Sequence, residues 1–143
     1  MREKKDLGDI GEKIAEKYLK DKGYKILDKN FRYSKLGEID IVAFKKDQPA
    51  TQAKQACLAG VAGRVIFFEV KARKKTGLSE FLPEDNITFD KQKKLIKLAQ
   101  IYLSKNPSAG GDNPWQIDIL AIEVYRDGSY DIRHIENAVG DFW

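Results

Sequence analysis

The chain has 143 residues, 42% of them hydrophobic, with 26 Lys and Arg set against 22 Asp and Glu. That is enough for one domain with a sizeable core, and the net charge of +4 (pI ≈ 9.0) suits a polyanionic partner without specifying one. One cysteine and one histidine exclude an internal disulfide and leave no Cys/His set for zinc. No apolar run reaches the ~20 residues of a bilayer span, and the charged start, Met1–Asp6, lacks the apolar segment of a signal peptide. A cytoplasmic, non-membrane protein is the expectation.

Apolar residues at three- and four-residue spacing (Leu7, Ile10, Ile14, Tyr18) predict a first helix over residues 7–22, stopped by Gly23. Glu12 falls on the border of its apolar face, and spacing alone makes it a solvated helix carboxylate. Residues 24–33 and 38–45 read as a hairpin of two strands joined through Ser34–Gly37. On the second strand the alternation places Ile39, Ile41 and Ala43 on one face and Asp40, Val42 and Phe44, with Glu38, on the other.

Residues 46–63 are Ala- and Gln-rich and only weakly amphipathic, so they read as an insertion between two strands; Cys57 within it has no His partner nearby and reads as an incidental small residue. A third strand, 64–72, is apolar on both faces, which predicts a central position in the sheet. Arg73, Lys74 and Lys75 follow at its exit, then a loop through Asn86. Thr88 is placed to cap a second long helix, 89–105, whose buried stripe is Leu95, Leu98, Ala99, Tyr102 and Leu103. Lys93, Lys94 and Lys97 gather on its solvent side. Lys91 and Gln92 are out of place, because both fall on the apolar side of the first turn. Asn106–Pro114 has linker composition. A fourth strand, 115–124, turns at Asp127-Gly128 into a fifth, 129–135, and the tail to Trp143 is expected to be only partly ordered. His134, at a strand end without an evident partner, argues against a His-based triad.

The chemistry lies in charges placed where buried strands should have none. Asp40 sits between isoleucines, while Glu69 and Lys71 flank Val70 and share a face. An ionised group there costs several kcal/mol unless paired or bound to metal. Asp40 and Glu69 offer hard oxygen ligands suited to Mg²⁺ or Mn²⁺, one of whose waters can become a nucleophile, and Lys71 can orient that water or neutralise charge on a phosphate. The combination suits phosphodiester hydrolysis; the bland alternative is a structural ion-pair cluster.

Asp40 followed by Glu69-Val70-Lys71 resembles the PD-(D/E)xK motif of the restriction-endonuclease-like superfamily. Gly11-Glu12-Lys13-Ile14-Ala15, Gly23-Tyr24-Lys25-Ile26-Leu27, Asn30-Phe31-Arg32, Gly37–Val42, Phe68–Arg73, Ile117–Ala121 and His134–Ala138 together resemble the bacterial YraN-like family, over nearly the whole chain. That family is similar to Holliday-junction resolvases. The resemblance implies a single α/β nuclease-like domain over 1–143, with a central mixed five-stranded sheet flanked by helices in the order α-β-β-β-α-β-β. It implies Glu12, Asp40, Glu69 and Lys71 as the catalytic set, with Mg²⁺ (or Mn²⁺) held by Asp40, Glu69 and the Val70 backbone carbonyl. Glu38 and Gln92 are supporting candidates, and Arg32, Lys35, Arg73, Lys74 and Lys75 are candidate nucleic-acid contacts. The expected function is a metal-dependent DNA endonuclease, for branched or junction DNA, with a homodimer in prospect. The alternatives are a non-catalytic nucleic-acid-binding module of the same fold and a structural or interaction protein. Two departures stand out: the 46–63 segment exceeds the family's usual hairpin link, and Leu78–Phe89 matches only loosely.

Overall fold

The computed structural model describes residues 2–47, 63–75, 87–110 and 113–139. Eight elements follow in order: helix α1 (Arg2–Asp21), strands β1 (Lys25–Arg32), β2 (Glu38–Lys46) and β3 (Gly63–Lys74), helices α2 (Phe89–Lys105) and α3 (Pro107–Gly110), and strands β4 (Trp115–Val124) and β5 (Tyr130–Ile135). The strands form one sheet in the order β1-β2-β3-β4-β5. Pairing is antiparallel except between β3 and β4, which run parallel. A parallel neighbour cannot be reached by a tight turn, so the chain must cross over, and α2 lies on that crossover. The architecture is the α/β arrangement expected, a mixed five-stranded sheet with α1 on one face and α2 on the other, consistent with a restriction-endonuclease-like fold.

Two apolar layers hold it. On one face α1 contributes Ala15 and Leu19 to a cluster with Ile41, Ala43, Ile66, Phe68, Leu120 and Ile122. On the other, α2 contributes Leu95, Ile96, Leu98, Ala99 and Tyr102 to a cluster with Val42, Val65, Phe67 and Ile117. Both faces of β3 are therefore covered, as its two-sided apolar pattern requires. Burial of this surface is the main favourable contribution to folding.

Local chemistry sets the ends of the helices. Gly23, at φ +89°, takes the left-handed conformation after α1; its N–H donates to Lys20 O, and the Tyr24 N–H reaches back to Leu19 O. These two bonds satisfy carbonyls that the helix end would leave orphaned. At the start of α2, Thr88 Oγ1 accepts from the Lys91 N–H at 3.2 Å.

The structure departs from the sequence reading, or sharpens it, at several points. Helix α1 begins at Arg2 rather than at residue 7, because its first turn is built from charged helix formers that carry no apolar period. Within the Asn106–Pro114 linker, Pro107–Gly110 form one helical turn, α3, Pro being well suited to a first helical position. Ile39 packs in the α2-side cluster, apart from Ile41 and Ala43 on the α1 side, so alternation breaks at Asp40. The tail is anchored as far as Val139, which is buried. The insertion expected over 46–63 and the loop through Asn86 fall outside the described residues, apart from Lys46, Asp47, Gly63 and Lys75 at their edges.

A buried polar network anchors that tail. Asp118 is completely buried and accepts hydrogen bonds from Gln116 Nε2 (2.7 Å) and from the Asn137 N–H (2.8 Å) on one oxygen; its other oxygen lies 2.7 Å from His134 Nε2. The second ring nitrogen of His134 meets the Tyr18 hydroxyl at 3.1 Å, so this histidine has partners on both sides, against the expectation of none. Asp118→Ala strands three polar groups at once. The variant should lose about 3 kcal/mol of stability, read as a lowered urea midpoint, and its tail amides should exchange faster.

Candidate active site

The β2–β3 ladder runs from Lys46↔Gly63 to Ile41↔Phe68 and stops there. Beyond that point β2 remains paired to β1 as far as Glu38↔Arg32, and β3 remains paired to β4 as far as Lys74↔Val124. The two central strands thus fork, and Asp40, Glu69 and Val70 stand at the crotch. The Val70 N–H, which has no β2 carbonyl to bond, donates instead to Asp40 Oδ2 at 2.7 Å. A strand residue's carbonyl leaves the same edge as its N–H, so the Val70 carbonyl also opens into the fork. Because the sheet is parted here, Asp40 lines a cavity on each face: about 200 Å³ under α1, shared with Glu12, and about 370 Å³ under α2, shared with Glu69 and Lys91.

Glu12 reaches the fork because α1 lies unusually close to the sheet. A Cβ on Gly11 would stand 2.6 Å from Ala72 Cβ and 3.8 Å from Val70 Cγ1, so glycine allows the helix to rest directly on β3. Carboxylate oxygens of Glu12, Glu38 and Asp40 come within 4.8 Å of one another. Asn30 lies between them at φ +56°, a left-handed conformation that asparagine tolerates better than most residues. With its amide nitrogen turned to the acids, the orientation that satisfies both, Asn30 donates to Glu38 Oε1 (2.8 Å) and Glu12 Oε1 (3.0 Å). The Arg32 guanidinium pairs with the other Glu38 oxygen.

Glu69 is 4% exposed. Its Oε1 lies 2.9 Å from Lys91 Nζ and 3.5 Å from Lys71 Nζ, while its Oε2 is buried with no hydrogen-bond partner among the described residues. Burial, then the charge of Glu69, pushes the Asp40 carboxyl up to about 8, against the opposing Val70 N–H. Burial, with Glu38, Asp9 and Glu16 around it, raises Glu12. Lys71 is held below the usual lysine range, chiefly by burial and by Lys91 beside it, against the pull of Glu69. Burial acts on Lys91 in the same direction, but its hydrogen bond and charge contact with Glu69 leave it raised. Crowded carboxylates, one oxygen of them orphaned, fit a hard divalent cation: the donor set is entirely oxygen, and a cation would offset the burial and the repulsion that push the Asp40 carboxyl up.

Of the sequence candidates, Glu12, Glu38, Asp40, Glu69, Val70 and Lys71 come together at the fork. Gln92 does not; its side chain turns back to Ile87 O at 3.4 Å. Lys35 lines the α2-side cavity. Lys75 is paired to Glu123 at 3.0 Å, and Arg73 stands opposite Glu123 in the parallel register, both beyond the fork. Two residues outside the expected set join the site. Lys91 carried a signal, being a cation on the inward side of a helix N-terminus, and Asn30 carried none beyond its place in a motif.

A family model described as "Uncharacterised protein family UPF0102" matches residues 11–122, from Gly11 in α1 to Ile122 in β4. The chain belongs to the UPF0102 family. Similar members include a UPF0102 protein of Caldanaerobacter subterraneus subsp. tengcongensis, 42% identical over 72% of this chain and 69% of its own length. Another is a UPF0102 protein of Clostridioides difficile, 39% identical over 94% of this chain and 96% of its own. A third, from Alkaliphilus oremlandii, is 36% identical over 94% and 97%. No helix among the described residues is long and apolar enough to cross a membrane.

Two outcomes follow from this geometry. Gly11→Ala should destabilise by about 1 kcal/mol despite alanine's better helix propensity, because the added methyl meets a Cβ fixed to a central strand; adding Ala72→Gly should restore the loss, as thermal melts of the parent and the two variants would show. Asp40, raised in the folded state, binds its proton more tightly there than in the unfolded chain, so without divalent ion its contribution to stability declines as pH climbs from about 4 towards 8. Asp40→Asn removes that decline. The Tm advantage of the variant over the parent should grow across this range in EDTA, reaching at least about 3 °C by pH 8.

Proposed function

We propose that this UPF0102 protein is a divalent-metal-dependent nuclease of the PD-(D/E)xK type, hydrolysing phosphodiester bonds in DNA, with branched or junction DNA as the favoured substrate. One observation carries the reading: the strands part where Asp40 and Glu69 meet, leaving a buried, unpartnered Glu69 oxygen beside a second carboxylate and a lysine. Burying such a set costs several kcal/mol, and a purely structural role offers no return for keeping one oxygen unsatisfied.

In this reading Asp40, Glu69 and the Val70 carbonyl would hold Mg²⁺, or Mn²⁺ in its place, with Glu12 as a further carboxylate at the fork. The ion supplies a Lewis acid and a water of lowered pKa. The protein does the rest. The Val70 N–H fixes the Asp40 carboxylate so that only one of its oxygens is spent on the backbone. Asn30 keeps Glu12 and Glu38 from drifting apart under their mutual repulsion. Lys71, half-buried beside Glu69, aligns the attacking water and neutralises charge gathering on the phosphate. The opening under α2, with Lys35 at its edge, admits the phosphodiester to the acid floor.

A cleavage panel tests this: duplex, flap, four-way junction and single strand, each with Mg²⁺ and with Mn²⁺. The parent should cut branched substrates, and Glu69→Ala and Lys71→Ala should each lower the rate by about 100-fold or more. Absence of cutting across the panel, with DNA binding unchanged in Lys71→Ala, would replace this reading with that of a binding module.

A further inference from the structure

Lys91 breaks a local rule. It stands three residues after the N-cap Thr88, the position where a capping box places Glu or Gln, and it adds a cation to the positive end of the α2 dipole. A charge that its own helix disfavours is kept there for what it meets beyond the helix. What it meets is Glu69 Oε1, at 2.9 Å, closer than Lys71 at 3.5 Å. Two ammonium groups therefore converge on one buried carboxylate oxygen, while Glu69 Oε2 has no partner among the described residues.

Lys71 and Lys91 are not equivalent. Lys71 is on the strand, two residues from Glu69, with its side chain 25% exposed; Lys91 comes from the helix across the cavity and is 39% exposed. Lys91 is thus the cation with room to leave. Lys35 and Lys94 line the same cavity, so an ammonium that swings outward joins a cationic rim above an acidic floor. That arrangement complements one phosphodiester group: positive charge for its oxygens at the mouth, carboxylates below.

We propose that Lys91 is an exchangeable cation, the counter-ion of Glu69 while no metal is bound and a phosphate ligand once a divalent ion takes the carboxylate. The inference rests on the nuclease reading. It makes Lys91 a competitor of the metal and a partner of the DNA, two roles with opposite signs on mutation. A lysine serving only to hold α2 against the sheet would move neither affinity in this pattern.

The test is binding, without turnover. Mn²⁺ affinity is measured by titration calorimetry at fixed pH, and affinity for a labelled four-way junction is measured in Ca²⁺ across a salt series. Lys91→Met should bind Mn²⁺ about three- to fivefold tighter, the scale of a half-exposed ion pair. It should bind the junction about fivefold more weakly, with a salt slope shallower by about 1, the signature of one lost phosphate contact. Lys91→Arg should stay near the parent in both, and Lys97→Met, on the exposed face of α2, should change neither. Lys91→Gln repeats the measurement should the methionine variant not fold. Mn²⁺ affinity unchanged or weakened in a folded Lys91 variant, or an unaltered salt slope, overturns the proposal while leaving the nuclease reading in place. A parent that binds no Mn²⁺ overturns both.

Discussion

The hydrogen bond from the Val70 N–H to Asp40 Oδ2 is the contact on which the site depends. A β-ladder is self-propagating: each pair formed positions the next, and a carbonyl on β2 would ordinarily take the Val70 N–H. Here a side chain takes it. That substitution lets β2 and β3 separate without leaving a buried donor unsatisfied, which would cost about 1–3 kcal/mol. The parting opens the centre of the sheet, and Asp40 lines a cavity on either side.

Everything else at the site follows from keeping the fork open and its charges tolerable. Gly11 lets α1 rest on Ala72 and Val70, which delivers Glu12. Asn30, in a conformation few residues accept, donates to both Glu12 and Glu38. From the opposite face α2 delivers Lys91 to Glu69. These partners do not cancel the cost of the cluster: Asp40 stays pushed up to about 8 by burial and by Glu69. The raised Asp40 carboxyl is a perturbed group in a cleft, and perturbation of this kind clusters at working sites. The Asp118–His134–Tyr18 network makes a useful contrast, since there each carboxylate oxygen and both ring nitrogens have partners. That cluster holds structure together. The fork holds something in reserve.

Membership of the UPF0102 family fixes relationship, and fold alone does not assign chemistry. What supports a nuclease is the site: hard oxygen donors, one of them orphaned, beside lysines at two distances from the same carboxylate. The two lysines divide the work in the proposal, one held on the strand for the reacting centre and one exchangeable on the helix. A single charge-reversing helix rule, broken at Lys91, carries the distinction.

The amino-acid sequence alone was enough to determine the order of the long elements, most of the two apolar layers and the strand charges that meet at the fork. Period-2 and period-3.6 patterning set β4 and α2 to within their ends, since burying those stripes is what stabilises them. Charges flanked by apolar neighbours marked Asp40, Glu69 and Lys71, because an ionisable group on a buried strand needs a partner or an ion to offset its desolvation. The tertiary structure decided what pattern cannot encode. Strict alternation put Ile39 beside Ile41; the fork separates them, since a strand freed from one of its ladders no longer holds a strict pleat. Spacing left Glu12 on the rim of a helix, and only the close approach at Gly11 brings it to Asp40. His134 had no partner in the chain's local order, and it found two across 16 and 116 residues of sequence. Contacts of that range depend on where the sheet carries each residue, and local sequence holds no record of it.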